Sequence, residues 1–415
     1  MTEAAQSYRQ VLRLPAVAEL LLTACWARRA GRMFTLAIVF YALQRFDSPA
    51  LAGWIAFTSM LPGMVVSPIA GALLDRFGAA RIILIDLVAS AALLAALVVL
   101  DVVRVATPAA VLILVGLYSL TSPLSSAGIR TLIPRLVPAE ARDRANALDT
   151  SINALVGVLG PVLAGLLFGF AGGAVTMAVI AALYAVAALS LLPLIRRPDE
   201  GRAGARGRLM HDAIAGLRYV LRHGALRGLA VSYALYMASK GVLLIAVPVL
   251  VAREMATQAS TDSLVGLLWA ASGIAGSVGA LGAGSARTLG REHWMIVAGT
   301  LGTALACWPV GAIWGLYGLA VGLLLVGLTQ GPVDVGTLTL RQRVTDPAWL
   351  GRSLAVSMSL NLCGLPIGAA LGGWLASHAA SLLLPVAAAA AVLAAIAAAR
   401  LPVSAHAAGT STGMR

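Results

Sequence analysis

The residues of this sequence with the most chemistry to offer are charged side chains set inside long apolar runs. Arg28, Arg29 and Arg32 lie within one run, Asp86 within a second, Lys240 within a third and Asp334 within a fourth. A charge in hydrocarbon costs about 3 kcal/mol or more, and is retained where it faces a partner, a water-filled cavity or a ligand. Lys240, the sole lysine, stands thirteen residues from both Arg227 and Arg253, roughly 20 Å from each along a helix. Asp334 lies ~10 Å along the chain from Arg341, beside Gly331-Pro332, and Asp86 lies ~7 Å from Arg81. Two readings stay open. Asp86 and Asp334 could hold the cations as structural ion pairs, or four cations against two acids could leave a positive cavity for an anionic or zwitterionic amphiphile. Arg29 could instead reach its guanidinium to an interface.

Catalysis has no comparable support. Cys25, Cys307 and Cys363 fall inside apolar runs without metal-ligand spacing, and His, Cys and Asp do not cluster. No phosphate-binding G-x-x-x-x-G-K-[ST] and no nucleophile elbow occur. No catalytic residue, metal or cofactor is expected, so any uphill work would draw on an ion gradient.

The elements that position these charges follow from hydropathy. The chain of 415 residues is 60% hydrophobic and 11% charged, with a mean hydropathy of +0.91. A soluble globule carries about 25% charged residues. Apolar runs cover 18–43, 50–73, 81–101, 107–129, 147–170 and 174–194, then 228–251, 263–285, 294–313, 315–338, 352–376 and 381–400. Each is long enough to cross ~30 Å of hydrocarbon as a helix. The expected fold is an all-α membrane protein of about twelve transmembrane helices. Met1–Pro15 is polar and leads into the first run without a small-residue cleavage site, which predicts a first span and not a signal peptide.

The net charge of +13 follows the positive-inside rule better than nucleic-acid binding. With the N-terminus inside, about 23 Lys and Arg fall in cytoplasmic segments and about three outside (Arg45, Arg104, Arg253). Both termini are therefore expected on the cytoplasmic side of a bacterial inner membrane.

An offset of 208 residues aligns Gly128 with Gly336, Thr131-Leu132 with Thr339-Leu340, Arg135 with Arg343, Asn153 with Asn361 and Gly160 with Gly368. These polar and glycine matches predict two pseudo-symmetric six-helix halves in parallel orientation. The halves would be 1–195 and 228–415, the second with a short cytoplasmic tail. A linker at 196–227 joins them; Leu209, Met210, Ile214, Leu217, Val220 and Leu221 give it an amphipathic helix suited to an anionic leaflet.

The loop after the second run reads Gly71-Ala-Leu-Leu-Asp75-Arg76-Phe-Gly78-Ala-Ala-Arg81. It resembles the signature loop between helices 2 and 3 of the major facilitator superfamily, G-x-x-x-D-R-x-G followed by basic residues. Ala79 and Ala80 depart from that pattern. In the second half Gly279-Ala280-Leu281 repeats its start, then decays towards Gly290-Arg291 without an acidic residue. Leu136-Val-Pro138, Arg144-Ala-Asn146 and Gly160-Pro161…Ala164-Gly165 resemble the loop and fifth helix of the exporter branch that includes siderophore and macrolide exporters. The helix-4 arginine common in proton antiporters of the superfamily is missing from Val111–Gly128.

The resemblance implies a secondary transporter of that fold, most simply an exporter of a small amphiphilic molecule working by alternating access. An importer or a lysophospholipid-type lipid transporter is the alternative within the class, and a non-transporting membrane sensor or enzyme the alternative outside it. It also implies that helices 1, 4, 7 and 10 line a central cavity, which would hold Arg28, Arg32, Ser122, Ser125, Lys240 and Asp334. Asp334 and Asp86 are the proton-coupling candidates; if Lys240 and Asp334 form a pair, protonating Asp334 would free Lys240 for an anionic ligand and couple proton movement to transport. Expected partners are the lipid bilayer, a small-molecule substrate and a coupling proton, in a monomer that binds no nucleic acid.

Overall fold

A computed structural model describes residues 10, 13–14, 16–137, 142–195, 209–255, 257–285, 292–346, 349, 356–357 and 360–402. Among them, ten stretches are long and apolar enough to cross a membrane. Two more follow from local detail. Helix α1 (Val17–Phe46) is about 45 Å long, and only its internal arginines set it apart from the ten. The run Ala147–Ile195 counts as one stretch of 49 residues, but Gly172 interrupts it at φ 79, ψ 174. That conformation is open to glycine and costly for other residues, so the chain folds back there into two spans. Twelve spans result.

The first six are α1, the broken pair α2 (Pro49–Thr58) and α3 (Leu61–Phe77), α4 (Ala79–Val102), α5 (Pro108–Leu136) and the folded-back α6 (Arg142–Ile195). The amphipathic α7 (Leu209–Arg222) comes next. Then follow α8 (Gly224–Glu254), α9 (Gln258–Ser285), α10 (Glu292–Cys307), α11 (Gly315–Val344), α12 (Gly364–His378) and α13 (Leu383–Ala399).

The described residues belong to two compact units, Met1–Met210 with Met255–Ala270 and His211–Glu254 with Ala271–Arg415. In the first, α1 packs chiefly on α6, and α4 on α5 and α6. In the second, α8 packs on α12 and α13, and α10 on α11 and α13. Lipid tails give apolar helices no reason to associate, so close backbone packing must supply the attraction. Gly364 and Gly368 of α12 supply it in the second unit, since a Cβ at either would overlap the Ala234 or Ala238 carbonyl of α8. Outward-facing Ile113, Phe170, Leu189 and Leu281 are exposed, as a surface solvated by lipid requires.

The linker 196–208, the tail 403–415, Gly290-Arg291 and the side chains of Leu209, Met210 and Ile214 lie outside the described residues. The rest of α7 is held inside the second unit. Val220 is buried, Tyr219 stacks on Trp349 at 4.9 Å and 2°, and its hydroxyl accepts from the Asp346 N–H at 3.3 Å.

Candidate functional site

The three arginines of α1 meet three different environments. Arg28 grips Asp149 of α6 with both ends of its fork, Nη1 to Oδ1 at 2.7 Å and Nη2 to Oδ2 at 3.0 Å. Nη1 also donates to the Asp149 carbonyl at 3.1 Å, and both side chains are 15% exposed. The Nη2–H bond to Oδ2 is charge-assisted, and such bonds are stronger than those between neutral groups. Arg29 lies over the Trp26 ring at 5.3 Å. Arg32 is exposed and has no hydrogen-bond or ion-pair partner among the described residues. A Cβ on Gly160 would come within 2.5 Å of the Arg32 Cβ, so Gly160 sets the approach of α6 to α1 at that residue. On the same helix, Gly165 meets Gly266 of α9 backbone to backbone, where a Cβ would lie 2.8 Å from the Gly266 Cα.

Asp86 of α4 is 1% exposed. Ser90 Oγ donates to its Oδ1 at 3.2 Å, and the Ser125 N–H of α5 donates to its Oδ2 at 3.2 Å. No cation reaches it among the described residues. Ser125 thus serves Asp86 through its backbone, while Ser122 is half-buried nearby on α5. The hydroxyls of Tyr118 and Tyr184 lie 2.6 Å apart in the same unit.

In the second unit the sequence suggested a direct Lys240–Asp334 pair, and the structure places Gln330 between them. Lys240 Nζ donates to Gln330 Oε1 at 2.5 Å, and Gln330 Nε2 donates to Asp334 Oδ2 at 3.2 Å. Tyr233 donates its hydroxyl to the other oxygen, Oδ1, at 2.6 Å. The spacing makes this ladder possible. Tyr233 and Lys240 are seven apart on α8, and Gln330 and Asp334 four apart on α11, so each pair shares a face. Gln330 is uncharged, and a search for charges passes over it. Its signal was the i, i+4 relation to Asp334.

The repeat offset also carries more than was read from it. It places Arg32 on Lys240, Ser122 on Gln330 and Ser126 on Asp334. An acid stands just past the second half's copy of the loop, at the start of α10. Glu292, next to Gly290-Arg291, is buried and pairs with Arg343 of α11. In the first half's loop, Gly78 takes φ 86 in the turn between α3 and α4, Arg76 lies over Phe77 at 5.3 Å and Arg81 is exposed. Of Gly71 and Asp75 only the helical backbone is described, so the contacts of the Asp75 carboxylate lie outside the described residues. No group of His, Cys, Asp and Glu that could hold a metal occurs among the described residues.

The family model of the Major Facilitator Superfamily matches residues 21–284. An uncharacterized MFS-type transporter, y4rN of Sinorhizobium fredii, is 47% identical over 95% of this chain and 97% of its own length. The multidrug efflux pump Tap of Mycolicibacterium fortuitum is 29% identical over 87% of this chain and 89% of its own. The enterobactin exporter EntS of Shigella boydii is 29% identical over 60% of this chain and 59% of its own. Among solved structures, the nucleoside transporter NupG superposes with a TM-score of 0.73 at 15% identity, covering 93% of this chain and 98% of that one. A bacterial homologue of the iron transporter ferroportin superposes at 0.69 with 19% identity, covering 94% and 99%.

Proposed function

The chain belongs to the major facilitator superfamily, as a multi-pass membrane transporter and not an enzyme, and from that premise we propose that it is an ion-gradient-driven exporter of a small amphiphile bearing an anionic group. The observation that carries the reading is the partner of Lys240. Its ammonium is held by a neutral amide, not by a carboxylate, so an anionic ligand can take the amide's place without breaking a salt bridge. Such an exchange is far cheaper than opening a buried ion pair. The nearest acid, Asp334, is held by Tyr233 and Gln330. Protonating it releases the amide to turn towards Lys240 or away from it, which links proton movement to ligand binding.

The outward direction rests on similarity to proteins named as a multidrug efflux pump and an enterobactin exporter. Membrane placement follows the arginine count, with both termini in the cytoplasm and the chain in the bacterial inner membrane. Cysteine labelling from outside should then reach Asp47, Thr107 and Thr257 and miss Arg222. The two halves, 1–195 and 228–415, would exchange access across the membrane.

The test is a screen in proteoliposomes under an imposed pH gradient, pairing each anionic amphiphile with a neutral analogue. Proton-linked movement of anionic members, lost for them in Lys240→Ala but kept for any neutral ones, supports the reading. Movement down the gradient alone, indifferent to pH and to Lys240, overturns it and favours a facilitative importer.

A further inference from the structure

We propose that Arg341 anchors a second site, for a planar oxyanion, near the end of α11 and separate from Lys240. Arg341 is 2% exposed, and its Nε and Nη2 are fully buried without a hydrogen-bond partner among the described residues. Those two nitrogens form one edge of the guanidinium, the edge that binds a carboxylate with two parallel hydrogen bonds. Thr337, one turn earlier on the same face, is 3% exposed, and its Oγ1 is likewise buried and unbonded. Threonines inside helices commonly return their hydroxyl to the carbonyl four residues back, as Thr300, Thr303 and Thr345 do here. Thr337 does not.

Among the described residues, Asp334, Glu292 and Tyr233 near Arg341 are committed elsewhere. Asp334, two turns earlier on α11, is bonded by Tyr233 and Gln330. Glu292 of α10 is paired with Arg343, and Tyr233 of α8 gives its hydroxyl to Asp334. Arginine keeps its charge throughout the biological pH range, so neutralisation offers no escape from burial. An anion with two oxygens in one plane meets Nε–H and Nη2–H together, and one of those oxygens keeps a lone pair that can accept from the Thr337 hydroxyl. A spherical halide meets one direction at a time. The ligand class is therefore a carboxylate, or an inorganic oxyanion such as nitrate. Arg341 is eleven residues from Gln330, about 16 Å along the helix, which makes the site distinct from Lys240 and independent of the export reading.

The test is thermal unfolding of the purified full chain in non-ionic detergent at fixed pH and ionic strength, titrating potassium nitrate, acetate or benzoate against potassium chloride. The wild-type midpoint is expected to rise saturably with the oxyanions relative to chloride. Arg341→Gln should weaken that response at least about tenfold. Arg341→Lys should keep the charge and lose the preference over chloride, and Lys240→Gln should leave the response in place. Benzoate saturating far below nitrate and acetate identifies an organic carboxylate as the ligand; equal saturation identifies a small free oxyanion. Because Nε and Nη2 have no partner among the described residues, Arg341→Gln in chloride should be at least as stable as wild type. Equal responses in wild type and Arg341→Gln, no oxyanion preference in wild type, or a collapse of Arg341→Gln in chloride would each overturn the proposal.

Discussion

The two halves solve the same problem, charge inside a membrane, in opposite ways. The first half closes one of its arginines with a carboxylate, Arg28 on Asp149, and holds Asp86 in hydrogen-bond donors with no cation on it among the described residues. The second half interposes an amide between Lys240 and Asp334 and leaves Arg341 buried with no acid on it among the described residues. A largely buried ion pair is costly to open and so holds structure. An ammonium on an amide can exchange partners with little loss, because the amide is neutral and finds other donors. On the proposed function, Arg28 would hold structure in the first half and Lys240 would be the exchangeable cation in the second. The contrast also separates the equivalent cations of the repeat: Arg32 is exposed while Lys240 is bonded.

The largest effect should come from the packing that fixes both arrangements. Gly368→Val pushes a branched side chain into the Ala238 carbonyl of α8, and rigid backbone cannot retreat. Loss of folded protein is expected, read by size-exclusion of a fluorescent fusion. Gly160→Ala adds a single methyl against the Arg32 Cβ, a smaller intrusion, and should leave a folded protein weakened by about 1–3 kcal/mol. Equal behaviour of the two would mean that the seams do not differ.

Next in size is the charge comparison. Arg28→Ala strands Asp149 and should cost about 3 kcal/mol in unfolding free energy, much of it recovered in Arg28→Ala with Asp149→Ala. Lys240→Gln should cost about 1 kcal/mol or less, since one hydrogen bond to an amide is lost. If Lys240→Gln destabilises as much as Arg28→Ala, Lys240 is structural and the contrast fails.

The smallest effect concerns the linker helix. Tyr219→Ala removes one stacked pair, worth about 1 kcal/mol beyond its buried area, and should speed proteolysis around α7 while leaving the melting of the second half nearly unchanged.

The spans were legible in the sequence because hydropathy acts residue by residue. Gly160 and Gly165 were legible as packing positions, because small residues have few other uses inside a helix. The partners were not. Arg28 and Asp149 lie 121 residues apart, and nothing local to Asp149 marks it as more than a helix start. Gln330 was passed over because it carries no charge, although the chemistry of Lys240 depends on it. Glu292 was missed because the second loop was read in register with the first, and the acid sits outside that register. The burial of Arg341 could not be read either, since at the end of an apolar run an arginine marks an interface by default.

The coupling role of Asp334 is tested most directly in proteoliposomes carrying Asp334→Asn. Asparagine keeps an acceptor for Tyr233 but cannot take up a proton. Exchange of labelled substrate across the membrane should continue at near the wild-type rate, and accumulation driven by a pH gradient should vanish. If Asp334→Asn protein still concentrates substrate in response to pH, Asp334 is not the proton carrier, and Asp86 becomes the group to test.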